Sequence, residues 1–268
     1  MGYVKRIIKN ILIDGKPNIF FMHIPKTGGT SIDFAISRHY PIGKYYVDPS
    51  ATVKVAEMMA GQSFDMVNFE ACFELRENLL AYKMAKGTKY VTGHVPFRLE
   101  TWKNFHEQYI FSTVLRDPVK RYISEFLYKK YKEKEYGNID LDFSDYLASD
   151  IGKRCASTYV RYFVGISDFT NPASAETLQI AKDNLSKFKV VGFLDDLDSM
   201  TKEFKQVSGL KLNIPHQNKS PKKNYQLNQQ EIEAAKQICE PDIAIYEYAK
   251  KMFTKEKLHL ATLRNATS

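Results

Sequence analysis

An apolar run, Ile19-Phe-Phe-Met22, gives way to His23-Ile-Pro-Lys-Thr-Gly-Gly-Thr-Ser31 and then to Ile32-Asp-Phe-Ala-Ile-Ser37, which reads as the opening of a helix. A buried strand, a glycine turn and a helix N-terminus in that order form an anion cradle. The turn's N–H groups point outward, the helix dipole favours negative charge, and a lysine can reach the bound group. The nucleotide-binding pattern G-x-x-x-x-G-K-[ST] is absent, because Lys26 precedes Gly28-Gly29 and no lysine follows them. A lysine at the start of the turn can touch a bridging or leaving-group oxygen.

Strand-like runs recur at Lys89–Thr92, Ile110–Leu115 and Lys189–Phe193, besides Asn18–His23. They are rich in β-branched and aromatic residues without strict alternation, as for strands buried on both faces. Helical spacing covers Ser31–His39, Ala71–Ala85, Val119–Tyr131, Ala175–Phe188, Leu197–Ser208 and Gln229–Phe253, the last capped by Asn228. Alternating strands and helices predict an α/β fold: a P-loop-type, mostly parallel central sheet flanked by helices on both faces. Ligands in such sheets bind at the strands' carboxyl ends. Lys26, His94 and Arg116 each follow closely on a predicted strand and so gather at one edge. Tyr40–Asp65 is hard to assign and has the character of a variable, acceptor-binding connection.

The second charged turn lies in Phe111-Ser-Thr-Val-Leu-Arg-Asp-Pro-Val-Lys-Arg-Tyr-Ile-Ser-Glu-Phe126. Pro118 suits a first helical turn. Arg116 falls at the strand's end and Ser124 about two turns into the helix. An arginine fork with a hydroxyl suits a phosphate monoester. Two anion sites imply a ligand with phosphate-like groups at both ends.

Together, P-K-T-G-G-T-S and R-D-P-V-x-R-x-x-S-x-F resemble the paired signature of sulfotransferases that use 3′-phosphoadenosine 5′-phosphosulfate (PAPS), and specifically the heparan sulfate 2-O-sulfotransferase-like family. The resemblance assigns the 5′-phosphosulfate to Lys26, Thr27, Gly28, Gly29, Thr30 and Ser31. It assigns the 3′-phosphate to Arg116 and Ser124, whose eight-residue spacing matches the family's. Tyr90-Val-Thr-Gly-His-Val-Pro-Phe97 is similar to the family's G-H-V segment and passes the role of catalytic base to His94. Thr92 stands where the glycosaminoglycan enzymes carry a second histidine, which points away from a glycosaminoglycan acceptor more than from the chemistry. Asn218-Lys-Ser-Pro-Lys-Lys223 resembles a basic loop closing over the cofactor, adding Ser220 and Lys223, ahead of a final helix with Asp242 and Tyr246. Glu70 and Glu74 are reserve bases, because some sulfotransferases use glutamate. His23 reads as part of the scaffold, and His106 and His216 have only their residue type to recommend them.

The implied activity is sulfuryl transfer from PAPS to a hydroxyl-bearing acceptor, a carbohydrate or small alcohol, with an amine or a tyrosyl peptide left open as acceptor. The products are the sulfated acceptor and 3′,5′-adenosine bisphosphate, and no metal is required. The competing readings are an ATP-dependent P-loop kinase and a non-catalytic nucleotide- or polysaccharide-binding protein.

The 268 residues suit a single domain, with a core of about 18–253 after a basic segment 1–17. The 44% hydrophobic and 26% charged composition leaves ample material for a core. A formal charge of +8 alone does not choose among nucleic acid, anionic lipid and acidic substrates. A multiply anionic cofactor accounts for part of it, and nucleic acid is not expected as a partner. Val4, Ile7, Ile8, Ile11 and Leu12 recur at helical spacing among Lys5, Arg6 and Lys9, which suits packing on the parent domain or, less readily, contact with a membrane surface. The three cysteines, Cys72, Cys155 and Cys239, lack any C-x-x-C pattern and are expected to be reduced. With no run of the roughly 18–20 apolar residues that span a bilayer and no signal peptide, the expectation is a cytoplasmic, bacterial enzyme. Oligomeric state has no signature in the sequence.

Overall fold

The computed structural model describes residues 15–61, 69–131, 138–165, 171–215 and 225–265, with side chains as far as Phe253 save that of Phe69. The amphipathic segment 1–12, His216, Ser220 and Lys223 lie outside the described residues.

Five segments pair into one sheet: β1 Asn18–Met22, β2 Lys44–Val47, β3 Tyr90–Gly93, β4 Tyr109–Leu115 and β5 Val190–Phe193. Every pairing is parallel, in the order β2-β3-β1-β4-β5. The described helices are α1 Gly29–Ser37, α2 Pro49–Ala60, α3 Phe69–Ala85, α4 Leu99–Phe105, α5 Pro118–Tyr131, α6 Phe143–Ala148, α7 Asp150–Ala156, α8 Thr158–Val164, α9 Ala175–Leu185, α10 Leu197–Ser208, α11 Gln229–Ile238 and α12 Glu240–Asn265. Among the described residues, no helix is long and apolar enough to cross a membrane.

Alternation along β1 divides the core. Ile19 and Phe21 join Ile32, Ala35 and Ile36 of α1 and Met200 and Phe204 of α10 on one face. Phe20 and Met22 join residues of α3, α8, α9 and α12 on the other. A separate cluster built on Tyr122, Phe126, Phe143 and Tyr146 packs α5 against α6, α7 and α11. That cluster fixes the helix that follows the Arg116 turn. The three cysteines are free.

One stretch that the sequence leaves unassigned takes form, and one expectation requires correction. Tyr40–Asp65 contains an edge strand and a helix. β2 is only four residues long with two of them exposed, so it lacks the apolar run of a strand covered on both faces. Asp48-Pro49 starts α2: the Asp48 carboxylate accepts from the N–H groups of Ser50 (2.7 Å) and Ala51 (2.9 Å), and Pro49 takes the first helical position. The expected Gln229–Phe253 helix is two helices that meet at Cys239. Pro241 has no N–H with which to continue the first helix's ladder. Asn228 does cap α11, in a reciprocal capping box with Glu231.

Candidate active site

The connection after β1 runs toward the β2 edge, whereas the one after β4 runs toward the β5 edge. β1 and β4 are neighbours, so a topological switch point opens at their carboxyl ends. Thr113 Oγ1 donates to the Met22 carbonyl at 2.8 Å and ties those ends together. Both charged turns singled out in the sequence emerge there.

In the first loop, Lys26 adopts a left-handed backbone with φ of 66°. This costs a non-glycine residue about 1–2 kcal/mol, a strain typical of functional turns. The buried Thr27 hydroxyl donates to the Ile24 carbonyl at 2.9 Å, so it shapes the turn and leaves only its main chain to face a ligand. Gly28 has φ of 80° and is the N-cap of α1, with no side-chain cap. A Cβ on Gly29 would lie 2.2 Å from His23 Cδ2, so the loop lies directly on that imidazole. Thr30 is exposed, Ser31 half-exposed, and the first turn of α1 has no acidic residue. This is a helix N-terminus open to an anion.

The second loop touches the first. Arg116 Nη1 donates to the Lys26 carbonyl at 3.2 Å. From behind, the Tyr159 hydroxyl accepts from the Arg116 N–H at 2.8 Å and donates to its carbonyl at 2.5 Å. Tyr159 belongs to α8, whose N-terminal N–H groups at Tyr159 and Val160 donate to the buried Asp242 carboxylate at 2.9 and 3.0 Å. Burial pushes the Asp242 carboxyl up to about 7, against the opposing pull of Arg121 and these N–H groups. Asp117 caps α5 through the Lys120 N–H. On α5, Arg121, Ser124, Glu125 and Tyr128 recur at spacings of three and four and so share a face. That face meets the first loop, because Lys26 Nζ lies over the Tyr128 ring, 4.0 Å from its centroid.

His94 completes the cluster. Its half-buried ring packs 4.6 Å from the His23 ring, and Nδ1 lies 2.6 Å from the His23 carbonyl. A carbonyl only accepts, so Nδ1 carries the proton and the neutral ring holds its lone pair on Nε2. Burial, with Arg76 and Lys26 nearby, lowers the His94 pKa against the opposing pull of the His23 carbonyl and Glu125. The ring is therefore neutral at pH 7. His23 is pushed well below the ordinary range by burial and by His94, as befits a support beneath the loop.

Three supports escape a reading of the sequence. Arg76 of α3 is buried; its guanidinium bonds Thr52 Oγ1 (2.8 Å), the Pro49 carbonyl (3.3 Å) and the His94 carbonyl (3.3 Å). Arg121 is 1% exposed and pairs with Glu125 at 3.8 Å. The available signal was an arginine within an apolar stripe: Arg76 among Cys72, Phe73 and Leu80, and Arg121 among Pro118, Tyr122 and Phe126. Tyr159 carries no local signal. The reserve bases Glu70 and Glu74 are exposed on α3, Glu70 near Arg154 and Arg161. His106 stacks on Trp102 at 4.3 Å.

The site thus combines an open helix N-terminus, two cations from different loops and a neutral imidazole. No curated protein matches the chain. A family model described as "Sulfotransferase family" matches residues 9–267. With nearly its whole length covered, the chain belongs to the sulfotransferase family and is a transferase of sulfur-containing groups.

Proposed function

We propose that the chain, as one catalytic domain, transfers the sulfuryl group of PAPS to a hydroxyl of a carbohydrate or small alcohol, with His94 as general base. The observation that carries this reading is the hydrogen bond from the Arg116 guanidinium to the Lys26 carbonyl, at 3.2 Å. It brings the two anion loops within reach of one small ligand charged at both ends.

In this reading, the main-chain N–H groups of Thr27 to Ser31 and the hydroxyls of Thr30 and Ser31 hold the 5′ end of the donor. Arg116 and Ser124 hold the 3′-phosphate and discriminate against nucleotides lacking it. Ser220 and Lys223, outside the described residues, are assigned to the donor by the family resemblance alone. The acceptor oxygen approaches sulfur in line with the bridging oxygen, and His94 Nε2 takes its proton as the new S–O bond forms. Negative charge gathers on the bridging oxygen as the old S–O bond breaks, and the Lys26 ammonium offsets it. The leaving group is 3′,5′-adenosine bisphosphate, and the acceptor departs as a sulfate ester.

The test is labelled-sulfate transfer from PAPS across sugars, small alcohols and tyrosyl peptides, with ATP as the comparison nucleotide. Sulfated sugar or alcohol is the expected product. Labelled peptide alone would overturn the acceptor class. Binding of ATP as tight as that of 3′,5′-adenosine bisphosphate would overturn the donor.

A further inference from the structure

Lys26 has a second set of neighbours that the transfer chemistry does not require. Its ammonium lies over the face of Tyr128, at 4.0 Å from the ring centroid. Glu125 sits one turn earlier on the same face of α5 and reaches Arg121 at 3.8 Å and Lys129 at 3.6 Å. Its Oε2 is buried with no hydrogen bond among the described residues.

We propose that the Tyr128 ring forms a clamp on α5 that holds the Lys26 ammonium at the mouth of the loop, making Tyr128 a positioning residue for the sulfuryl transfer, with Glu125 one turn earlier balancing the local positive charge. Three cations converge here: Lys26 itself, Arg116 from the end of β4, and Arg121 from α5. An unrestrained lysine would swing away from its like charges into water. The ring face attracts the ammonium without presenting an acceptor that would compete with the leaving oxygen. The carboxylate offsets the repulsion from one side. Because Ser124 precedes Glu125 on the same helix, the clamp and the 3′-phosphate contact move as one body. This inference rests on the assignment of Lys26 to the leaving oxygen.

The groups facing Lys26 are Glu125, Arg121 and Tyr128 from α5, Arg116 from the end of β4, and His94 from the end of β3. Burial lowers the lysine's pKa, as do Arg116 and Arg121, while Glu125 raises it. Glu125→Gln therefore moves the alkaline limb of the kcat profile to lower pH.

The experiment compares Tyr128→Leu, Tyr128→Phe, Glu125→Gln and Lys26→Ala, reading kcat, its pH profile and the Kd for 3′,5′-adenosine bisphosphate. Tyr128 is 46% exposed, so its replacement leaves the core intact. Tyr128→Leu is expected to lower kcat about tenfold with an unchanged Kd, and Tyr128→Phe, which keeps the ring face, to restore most of it. Wild-type kcat in Tyr128→Leu, with Lys26→Ala inactive, would overturn the clamp while sparing the role of Lys26. Full activity in Lys26→Ala would instead overturn the underlying assignment.

Discussion

The two loops at the switch point, to which we assign anion binding, are built in opposite ways. The loop after β1 is made of backbone: a strained lysine, a glycine cap with φ of 80° and a second glycine pressed on His23. Its donors are N–H groups whose directions the turn itself sets. The loop after β4 is made of side chains, and its arginine is held from behind by Tyr159, 43 residues away in the chain. The first loop carries its own geometry, whereas the second borrows it. A short motif can specify a phosphate grip in the first manner. In the second it specifies only the gripping residue and leaves the support to the fold.

Substitutions separate the two designs. Lys26→Ala is expected to lower kcat by about 100- to 1,000-fold, the scale for removing a group that meets transition-state charge. Affinity for the bisphosphate product should stay near normal, as pre-steady-state kinetics and calorimetry would reveal. Gly29→Ala follows at about 100-fold, the scale for displacing an aligned group by an ångström, because the new methyl drives the loop off the His23 ring. Equal activity in Gly29→Ala would show that the loop is not backbone-limited. Tyr159→Phe leaves the N–H and carbonyl of Arg116 unpaired, at a cost of about 1–3 kcal/mol. Its expected signature is a raised KM for the donor with little change in kcat. A drop in kcat at unchanged KM would break the distinction between the loops.

Proton linkage gives a subtler test. His23 and His94 both have lowered pKa values in the folded protein, chiefly through burial. The unfolded chain therefore binds protons first. Their contribution to stability is complete above the ordinary imidazole value of about 6.5 and is lost as pH falls from there through the lowered folded values. Denaturant melts between neutral and mildly acidic pH should show this loss, and His94→Gln should reduce it. The smallest effect belongs to Glu74→Gln, within about twofold of the parent in activity, as for an exposed surface change. A larger loss would reinstate a glutamate as base.

The sheet and the first loop were legible because their signals are local. Ile19–Met22 is a continuous apolar run, Gly28-Gly29 requires a turn, and Pro118 marks a first helical turn. The edge strand β2 was not legible, since Lys44 and Tyr46 face solvent and four residues make no pattern. Nor were α6, α7 and α8, each of six or seven residues and held by packing more than by periodicity. Within the site, Lys26, His94 and Arg116 could be named from their places after strands. Arg76 and Tyr159 act across 18 and 43 residues, and Arg121, besides pairing with Glu125 on its own helix, donates to the Cys155 carbonyl 34 residues away, so no short window along the chain encloses these partners.

The most direct test is calorimetric titration of the protein with 3′,5′-adenosine bisphosphate, adenosine 5′-monophosphate and adenosine 3′-monophosphate, repeated on Arg116→Ala. One pocket formed by both loops predicts that the bisphosphate binds at least about tenfold more tightly than either monophosphate, one charge-assisted contact being worth about 1.5–3 kcal/mol. It also predicts that Arg116→Ala removes the advantage over the 5′-monophosphate. Equal affinity for the bisphosphate and the 5′-monophosphate in the parent protein would contradict the claim that the Lys26 and Arg116 loops serve one ligand.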